Sequence, residues 1–275
     1  MLDRTNVVYR YDGSFNGFLC CVFECFRKKH FPAAIESWDQ EQETLFPVYM
    51  VETEKEKAVR LKRTVSERIS EKAFQLVRLS FLTCLPEKEL HILRFLESGF
   101  QYGRSVMDML TLDCVSVLQK AGKNLTGEAH LLCGFLRFTD TGQALTAVIE
   151  PKNYVLPLLV RHFCSRFPQE PFLIYDKTHK MALVHCPPDS AILPLEALEL
   201  PEPGEEERKY RSLWKLFYNT VSIEERYNPK CRMTHMPKRY WKQMTEFQQD
   251  GTQIQDTLPP SPFQKSLGGK ARGQD

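Results

Sequence analysis

Two hydrophobic periods run along the chain, and together they predict an α+β fold. Residues 6–11, NVVYRY, alternate with β-branched and aromatic side chains, which is typical of a strand, and residues 45–51 predict a second short strand. Apolar residues three and four positions apart predict helices over residues 15–29, 54–64, 67–84, 87–102, 105–120 and 123–133. We therefore expect a large helical segment in the middle of the chain.

The stretch from Glu128 to Asp176 is expected to form the centre of the core, because its apolar content is high. It predicts strands at 134–139 and 145–149 around a tight turn at 140–142, followed by a helix at 154–167. Residues 171–176 and 181–185 predict a second hairpin. The resulting β-β-α-β-β order, with the N-terminal strand added, predicts an antiparallel sheet with a helix packed on one face.

The domain organisation follows from shifts in composition. We expect a single α+β domain over residues 1–247, with a proline- and glutamate-rich surface connection at 187–207. A C-terminal helical segment then returns to the sheet. Its helix at about 207–221 is predicted to bury Leu213, Trp214, Leu216, Phe217 and Val221. Residues 248–275 are rich in Gly, Gln, Ser and Pro, which predicts a disordered tail.

Charge and cysteine content narrow the class of protein. The net charge of 275 residues is only +2, so no global field points to nucleic acid, and no apolar run reaches the length of a membrane span. The nine cysteines form no CxxC pair, which predicts reduced thiols and a cytoplasmic protein. Neither GxxxxGK[ST] nor GxGxxG occurs, so the standard phosphate-binding loops are absent and we expect no cofactor.

The strongest local charge lies at residues 226–242, which contain no acidic residue. Aromatic rings are interleaved with the cations, and the nucleic-acid-binding candidates are Arg226, Lys230, Arg232, Lys238, Arg239, Tyr240, Trp241 and Lys242. Cations neutralise phosphates and aromatic faces stack on bases, so this mixture suits a nucleic-acid surface. Two alternatives stay open: a solvated basic face whose rings pack onto the sheet, or a face that pairs with the glutamates of 196–207.

A second candidate is a polar centre formed by Glu128, His130 and His162, with Cys133 and Cys164 nearby in sequence. Their spacing is weak for a metal site, since residues two apart on a helix face different directions, and we predict no metal. A polar cluster satisfied by carboxylates or backbone carbonyls is the alternative.

Arg137 and Arg161 are a further pair of polar candidates within this apolar stretch. If the face that carries Arg137 is covered, its guanidinium needs either a carboxylate such as Glu128 or Asp176, or an anionic ligand. Structural pairing is the preferred interpretation.

Five segments in order resemble one bacterial family of DNA-metabolism or DNA-repair proteins that carries a domain of unknown function. They are YRYDGSFNGFL, EAHLLCGFLRF, EPKNYVLPLLVRHFCSRF, LIYD and RYNPK…MPKRYWKQM, and the resemblance covers residues 6–245. Members of that family are encoded beside a radical-SAM DNA-repair protein, and some are fused to a uracil-DNA glycosylase-like domain. The resemblance implies two partners, single-stranded or damaged DNA and a radical-SAM repair protein, and it supplies no catalytic residues.

Two functions from different classes remain. The first is a DNA-binding or accessory protein of DNA repair that works with a radical-SAM partner. The second is an enzyme that acts on a nucleic-acid base or phosphodiester, with Glu128, His130 and His162 as its centre. The two differ in whether these side chains converge on one concave pocket within hydrogen-bond reach.

Overall fold

The described residues form both helices and strands, so the predicted α+β class is confirmed. The structure is a computed structural model that describes residues 2–38, 43–198, 204–221 and 228–247. It divides the chain into two compact units, Met1–Gly204 and Glu205–Asp275. The predicted disordered tail at 248–275 lies outside the described residues.

The N-terminal strand β2 (Val8–Tyr11) is buried along its whole length and lies at the centre of a small parallel sheet. Its neighbours are β4 (Ala34–Ser37) and β5 (Val48–Met50), while β1 (Asp3–Arg4) and β3 (His30–Phe31) form a separate parallel pair. The prediction that the N-terminal strand belongs to the same sheet as the β-β-α-β-β core is therefore wrong.

Helix α1 (Phe15–Lys28) begins directly after β2. The Ser14 hydroxyl accepts a hydrogen bond from the N–H of Gly17 at 2.9 Å, which caps the helix, and Arg27 and Lys28 lie at its negative end. One face of the helix, which includes Phe18 and Val22, is fully buried. This burial joins the first sheet to the helical layer.

The helical layer consists of α2 (Lys55–Arg68), α3 (Glu71–Phe81), α4 (Lys88–Tyr102) and α5 (Asp113–Phe135). The two helices predicted over 105–120 and 123–133 are instead a short 3-10 segment at 103–108 followed by one long helix. No proline interrupts residues 113–135, so the helix continues through Gly122, which packs against Leu76 of α3.

The second sheet has five strands: β6 (Thr139–Asp140), β7 (Leu145–Ile149), β8 (Phe172–Asp176), β9 (Met181–Cys186) and β10 (Asp189–Pro194). Their order in the sheet is β10-β9-β8-β7-β6. Three pairs are antiparallel, but β7 and β8 run parallel, so the predicted antiparallel sheet is wrong at this pair. Helix α6 (Leu156–Arg166) connects them, because parallel strands need a crossover rather than a hairpin.

Two boundaries differ from the prediction. The strand expected at 134–139 shortens to Thr139–Asp140, because α5 continues to Phe135 and the N–H of Leu136 still bonds to the carbonyl of Leu132. Extending a formed helix costs less entropy than starting a new element. In the connection expected at 187–207, residues 189–194 form the exposed edge strand β10, and residues 199–203 lie outside the described residues.

The unit Glu205–Asp275 contains α7 (Glu205–Val221), α8 (Pro229–His235) and 3-10 segments at 238–243 and 245–247. The prediction that α7 buries its apolar stripe is wrong, and the exposed members are Leu213, Trp214, Leu216, Phe217 and Val221. Trp214 instead stacks on Phe217 along the helix, with ring centres 5.7 Å apart. Helical periodicity predicts an amphipathic helix but does not show what covers its apolar face.

The cysteines are free thiols distributed between core and surface. Burial raises the pKa of the Cys21 and Cys25 thiols, so these side chains act as small apolar groups of α1. Among the helices of the described ranges, none combines the length and the apolar character required to cross a membrane.

A glycine in the first turn of α1 generates a stability prediction. A Cβ at Gly17 would overlap Asp12 Oδ1 and lie 2.7 Å from Thr53 Oγ1, two groups that are held by hydrogen bonds. We expect Gly17→Ala to lower the free energy of unfolding by about 1–3 kcal/mol, measured by urea denaturation. Gly127→Ala is the control: nothing lies within 4 Å, so it should be neutral or stabilising by up to about 1 kcal/mol. Equal stability of the two variants would contradict the prediction.

Candidate functional site

The basic segment, residues 228–247, carries the cations that the sequence proposes as a nucleic-acid contact. Asn228 caps α8 by accepting a hydrogen bond from the N–H of Cys231 at 2.9 Å, and Pro229 occupies the first helical position. The exposed cations are Lys230, Lys238, Arg239 and Lys242. Arg232 is half-buried, and the predicted Arg226 lies outside the described residues. Five cations therefore accompany a single carboxylate, Glu246.

The aromatic rings of the basic segment are buried, which differs from their expected role as stacking platforms. Tyr240 and Trp241 are only 5% and 4% exposed. Trp241 stacks on Phe247 with centres 4.5 Å apart, and the Arg232 guanidinium lies 5.0 Å from its ring centre. Its Nε1 donates to the carbonyl of Met236 at 3.0 Å. The buried rings therefore stabilise the conformation of the segment, and its exposed surface carries cations rather than aromatic ring faces.

Two glutamates of the acidic stretch 196–207, Glu196 and Glu207, form ion pairs. Lys180 bonds to Glu196 at 2.6 Å, and Arg211 bonds to Glu207 one turn away at 2.7 Å. Glu246, at the end of the basic segment, accepts a hydrogen bond from Trp214 Nε1 at 3.1 Å.

Glu128 is a buried structural anchor. Its side chain is on the inner face of α5, and its carboxylate accepts the backbone N–H groups of Lys152 and Asn153 at 3.1 and 2.9 Å. It also accepts from Asn153 Nδ2 at 2.6 Å. Charge-assisted hydrogen bonds of this kind replace the water lost on burial. The carboxylate thereby fixes the loop that enters α6.

The other members of the predicted polar centre differ from Glu128 in burial. His130 and His162 are both exposed, and the His162 ring packs edge-on against Phe163. Arg161 is exposed, whereas Arg137 donates to the carbonyls of Gly134 and Leu136 at the end of α5. Across the described ranges, no group of three His, Cys, Asp or Glu side chains could hold a metal ion. The contacts described for these residues are thus separate from one another and structural in kind.

A cleft of about 970 Å³ lies elsewhere in the unit Met1–Gly204. Its ionisable lining residues are Tyr11, Arg78, Lys88, Glu89, Tyr154 and His179. Residues at the first turns of α1, α4 and α6 line it, together with the end of α3 and the β8–β9 turn. Among the described lining residues, Glu128, His130 and His162 do not occur.

His179, which lines the cleft, pairs with the buried Asp176 behind it. Asp176 is fully buried at the end of β8, and its Oδ2 lies 2.7 Å from Nδ1 of His179. Its Oδ1 accepts the N–H groups of Thr178 and His179, which fixes the turn. The imidazole lies against Tyr154, with ring centres 5.3 Å apart. Burial, and then the Asp176 charge, raise the pKa of Tyr154.

A tyrosine, a carboxylate and a lysine also line the cleft. The Tyr11 hydroxyl donates to Glu89 Oε1 at 3.1 Å, and burial followed by the Glu89 charge raises the pKa of Tyr11. Burial lowers the pKa of Lys88, whose Nζ lies 4.9 Å from the centre of the Phe81 ring. A cleft with these groups can bind a polar ligand and exchange protons with it.

The sequence analysis missed these cleft residues, although it contains part of the signal. Two of the five segments on which the resemblance rests meet there: YRYDGSFNGFL supplies Tyr11, and EPKNYVLPLLVRHFCSRF supplies Tyr154. They lie more than a hundred residues apart along the chain, so only the fold brings them together.

One comparison with known proteins finds a match. Residues 86–246 match the model of the family DUF4130, a domain of unknown function. No curated protein and no solved structure matches. The matched region contains Lys88, Glu128, Asp176, His179 and the described basic segment up to Glu246.

Glu128 and His130 allow a direct test of the structural interpretation. Glu128→Ala leaves buried N–H groups unpaired and should lower the free energy of unfolding by about 2–4 kcal/mol in urea denaturation. His130→Ala on the same helix removes an exposed ring and should change it by less than about 0.5 kcal/mol. If Glu128→Ala were as stable as His130→Ala, the anchoring role of the carboxylate would be wrong.

Proposed function

The chain belongs to the DUF4130 family. We propose that it is a DNA-binding protein of DNA repair or DNA metabolism. The observation that carries the proposal is the set of exposed cations in the basic segment, Lys230, Lys238, Arg239 and Lys242. The family membership itself adds no function, since the domain that defines it has none assigned.

The charge of the basic segment favours an anionic polymer as its ligand. Residues 228–247 contain five cations, counting lysine and arginine, and one carboxylate, so the segment carries a net positive charge. DNA presents a regular row of phosphates, and each lysine or arginine that neutralises a phosphate releases a condensed counterion. Binding of this kind is independent of sequence, depends strongly on salt and positions the protein on the strand.

The buried aromatic rings act indirectly in this proposal. Lys238 and Arg232 both lie over the Trp241 ring, with their charged groups 5.5 and 5.0 Å from its centre. Arg239 lies 4.6 Å from the ring centre of Tyr240. Cations held against ring faces lose less side-chain freedom on binding a phosphate, because part of their rotamer entropy is already lost.

The partner in repair is proposed from the resemblance described above. The family that the chain resembles is encoded beside a radical-SAM DNA-repair protein, and we propose that the chain brings such an enzyme to single-stranded or damaged DNA. Damaged or single-stranded sites have bases that are already unpaired, so a repair partner would spend less free energy in exposing them.

The alternative, an enzyme centred on Glu128, His130 and His162, is less favoured. Glu128 is 3% exposed and accepts three hydrogen bonds from the 152–153 loop, while both histidines lie at the surface. A general acid or base must come within hydrogen-bond reach of the substrate.

Single alanine substitutions in the basic segment test the proposal. We expect Lys238→Ala and Arg239→Ala each to weaken DNA binding to a similar degree on every sequence, because phosphates are common to all. Each should also lower the slope of log K against log salt by about one unit. The measurement is fluorescence anisotropy of labelled single-stranded and duplex oligonucleotides across a salt series.

Arg63→Ala is the matched control. It removes one exposed cation from α2, where Arg63 pairs with Glu67 at 2.7 Å, and should leave both affinity and salt slope unchanged. Wild-type protein that does not bind DNA at low salt would contradict the proposal. So would Lys238→Ala and Arg239→Ala variants whose salt slopes equal that of Arg63→Ala.

A further inference from the structure

We propose that the cleft of the unit Met1–Gly204 binds a nucleotide unit, with its phosphate near Lys88 and Arg78 and with His179 accepting a proton or hydrogen bond from it. The nucleotide is either free or part of a nucleic-acid strand. The cleft residues all lie in the unit Met1–Gly204, whereas the basic segment lies in the unit Glu205–Asp275. The proposal therefore does not depend on DNA binding by the basic segment.

The Asp176–His179 pair determines which imidazole nitrogen faces a ligand. The Asp176 carboxylate can only accept when ionised, so the neutral imidazole donates its Nδ1–H across the 2.7 Å contact. Nε2, on the other side of the ring, then carries a lone pair. That lone pair can accept a hydrogen bond or a proton from a ligand.

The turn alone does not require this histidine. The carboxylate of Asp176 already accepts the N–H groups of Thr178 and His179, and those two bonds are enough to hold a tight turn. The His179 side chain is 28% exposed and lines the cleft, so its ring remains accessible to a ligand while its other nitrogen is fixed.

A phosphate fits the charged part of the cleft. Lys88 is half-buried with its pKa lowered by burial, and a bound anion would relieve that cost by stabilising the ammonium. Arg78 is exposed at the end of α3 and offers a fork of donors suited to phosphate. The first turns of α1, α4 and α6 add the positive ends of three helix dipoles. The Glu89 carboxylate opposes an anion, but it accepts the Tyr11 hydroxyl, which disperses part of its charge.

An aromatic base fits the rest of the cleft. The rings of Phe15, Phe81 and Tyr154 line it beside the polar groups, and Phe15 and Phe81 already pack with centres 5.2 Å apart. Stacking of a base on an aromatic side chain stabilises a complex by about 1–3 kcal/mol. A volume of about 970 Å³ is at the upper end of the range for small-molecule sites, so it accommodates a nucleotide with room for an attached strand.

Binding measurements with defined probes test the proposal. Thymidine 5′-monophosphate, deoxyadenosine 5′-monophosphate and a short single-stranded oligonucleotide should each be titrated into the full chain. The protein should be ¹⁵N-labelled at histidine, so that the imidazole nitrogens are observed directly by NMR. We expect the Nε2 signal of His179 to move on addition of at least one probe, and the signal to be assigned by its loss in His179→Gln.

Substitutions of two lining residues of the cleft make the test specific. His179→Gln and Lys88→Met should each weaken binding of the same probe at least about tenfold, because each removes a charge-assisted or directed hydrogen bond. Lys177→Met is the control: Lys177 lies in the same turn, 3.6 Å from Glu150, and does not line the cleft, so this variant should bind as the wild type does.

The outcomes separate the two sources of the nucleotide. A response to the mononucleotides supports a free nucleotide, and a response to the oligonucleotide alone supports a unit within a strand, provided that His179→Gln and Lys88→Met reduce it. An Nε2 signal that no probe moves, or variants that bind as tightly as Lys177→Met, would overturn the proposal. The wild-type NMR measurement decides even if Lys88→Met fails to fold, because the assignment of the His179 signal requires only His179→Gln.

Discussion

The hydrogen bonds of the buried Glu128 carboxylate are the constraint on which the second half of the larger unit depends. They hold the backbone of Lys152 and Asn153 against α5. Asn153 then accepts the N–H of Cys84 through Oδ1 at 3.0 Å, and the N–H of Tyr154 bonds to the carbonyl of Leu82 at 2.9 Å. One carboxylate thus ties three places together: the long helix, the start of α6 and the loop before α4. Tyr154 and Lys88, which both line the cleft, follow two of these places in the chain and are positioned by this arrangement.

Local features of the fold could be predicted from the sequence where one residue pattern dominates. Helix α1 follows from its apolar face and the Ser14 cap, and the β8–β9 hairpin follows from two apolar runs around a polar turn. The errors occur where a neighbouring element decides. Residues 134–138 have strand-like composition, yet α5 extends into them, and the parallel β7–β8 pair results from the helix between the strands. The exposed stripe of α7 shows that spacing alone does not reveal what lies against a helix.

The candidate sites show the same difference between features set by local sequence and features set by packing. The cations of the basic segment are visible in the sequence because they are close together in the chain, whereas the burial of Tyr240 and Trp241 depends on packing with residues such as Phe247. The polar centre predicted around Glu128 assumes that polar residues in an apolar stretch meet one another, but Glu128 meets backbone N–H groups instead. The cleft required Tyr11, Lys88 and His179 to be placed together by the fold.

The order of strands in the second sheet also has a consequence for how the chain folds. Strands β8, β9 and β10 close over connections of four and two residues, 177–180 and 187–188, whereas β7 and β8 close over the 22 residues 150–171. Shorter loops lose less chain entropy on closure. Contacts within the antiparallel meander β8-β9-β10 can therefore form before the parallel pair β7–β8. Asp176 and His179 both lie in that meander. Their pairing is therefore encoded by a local hairpin, while the lining residues Tyr11 and Lys88 reach the cleft only through long-range assembly of the chain.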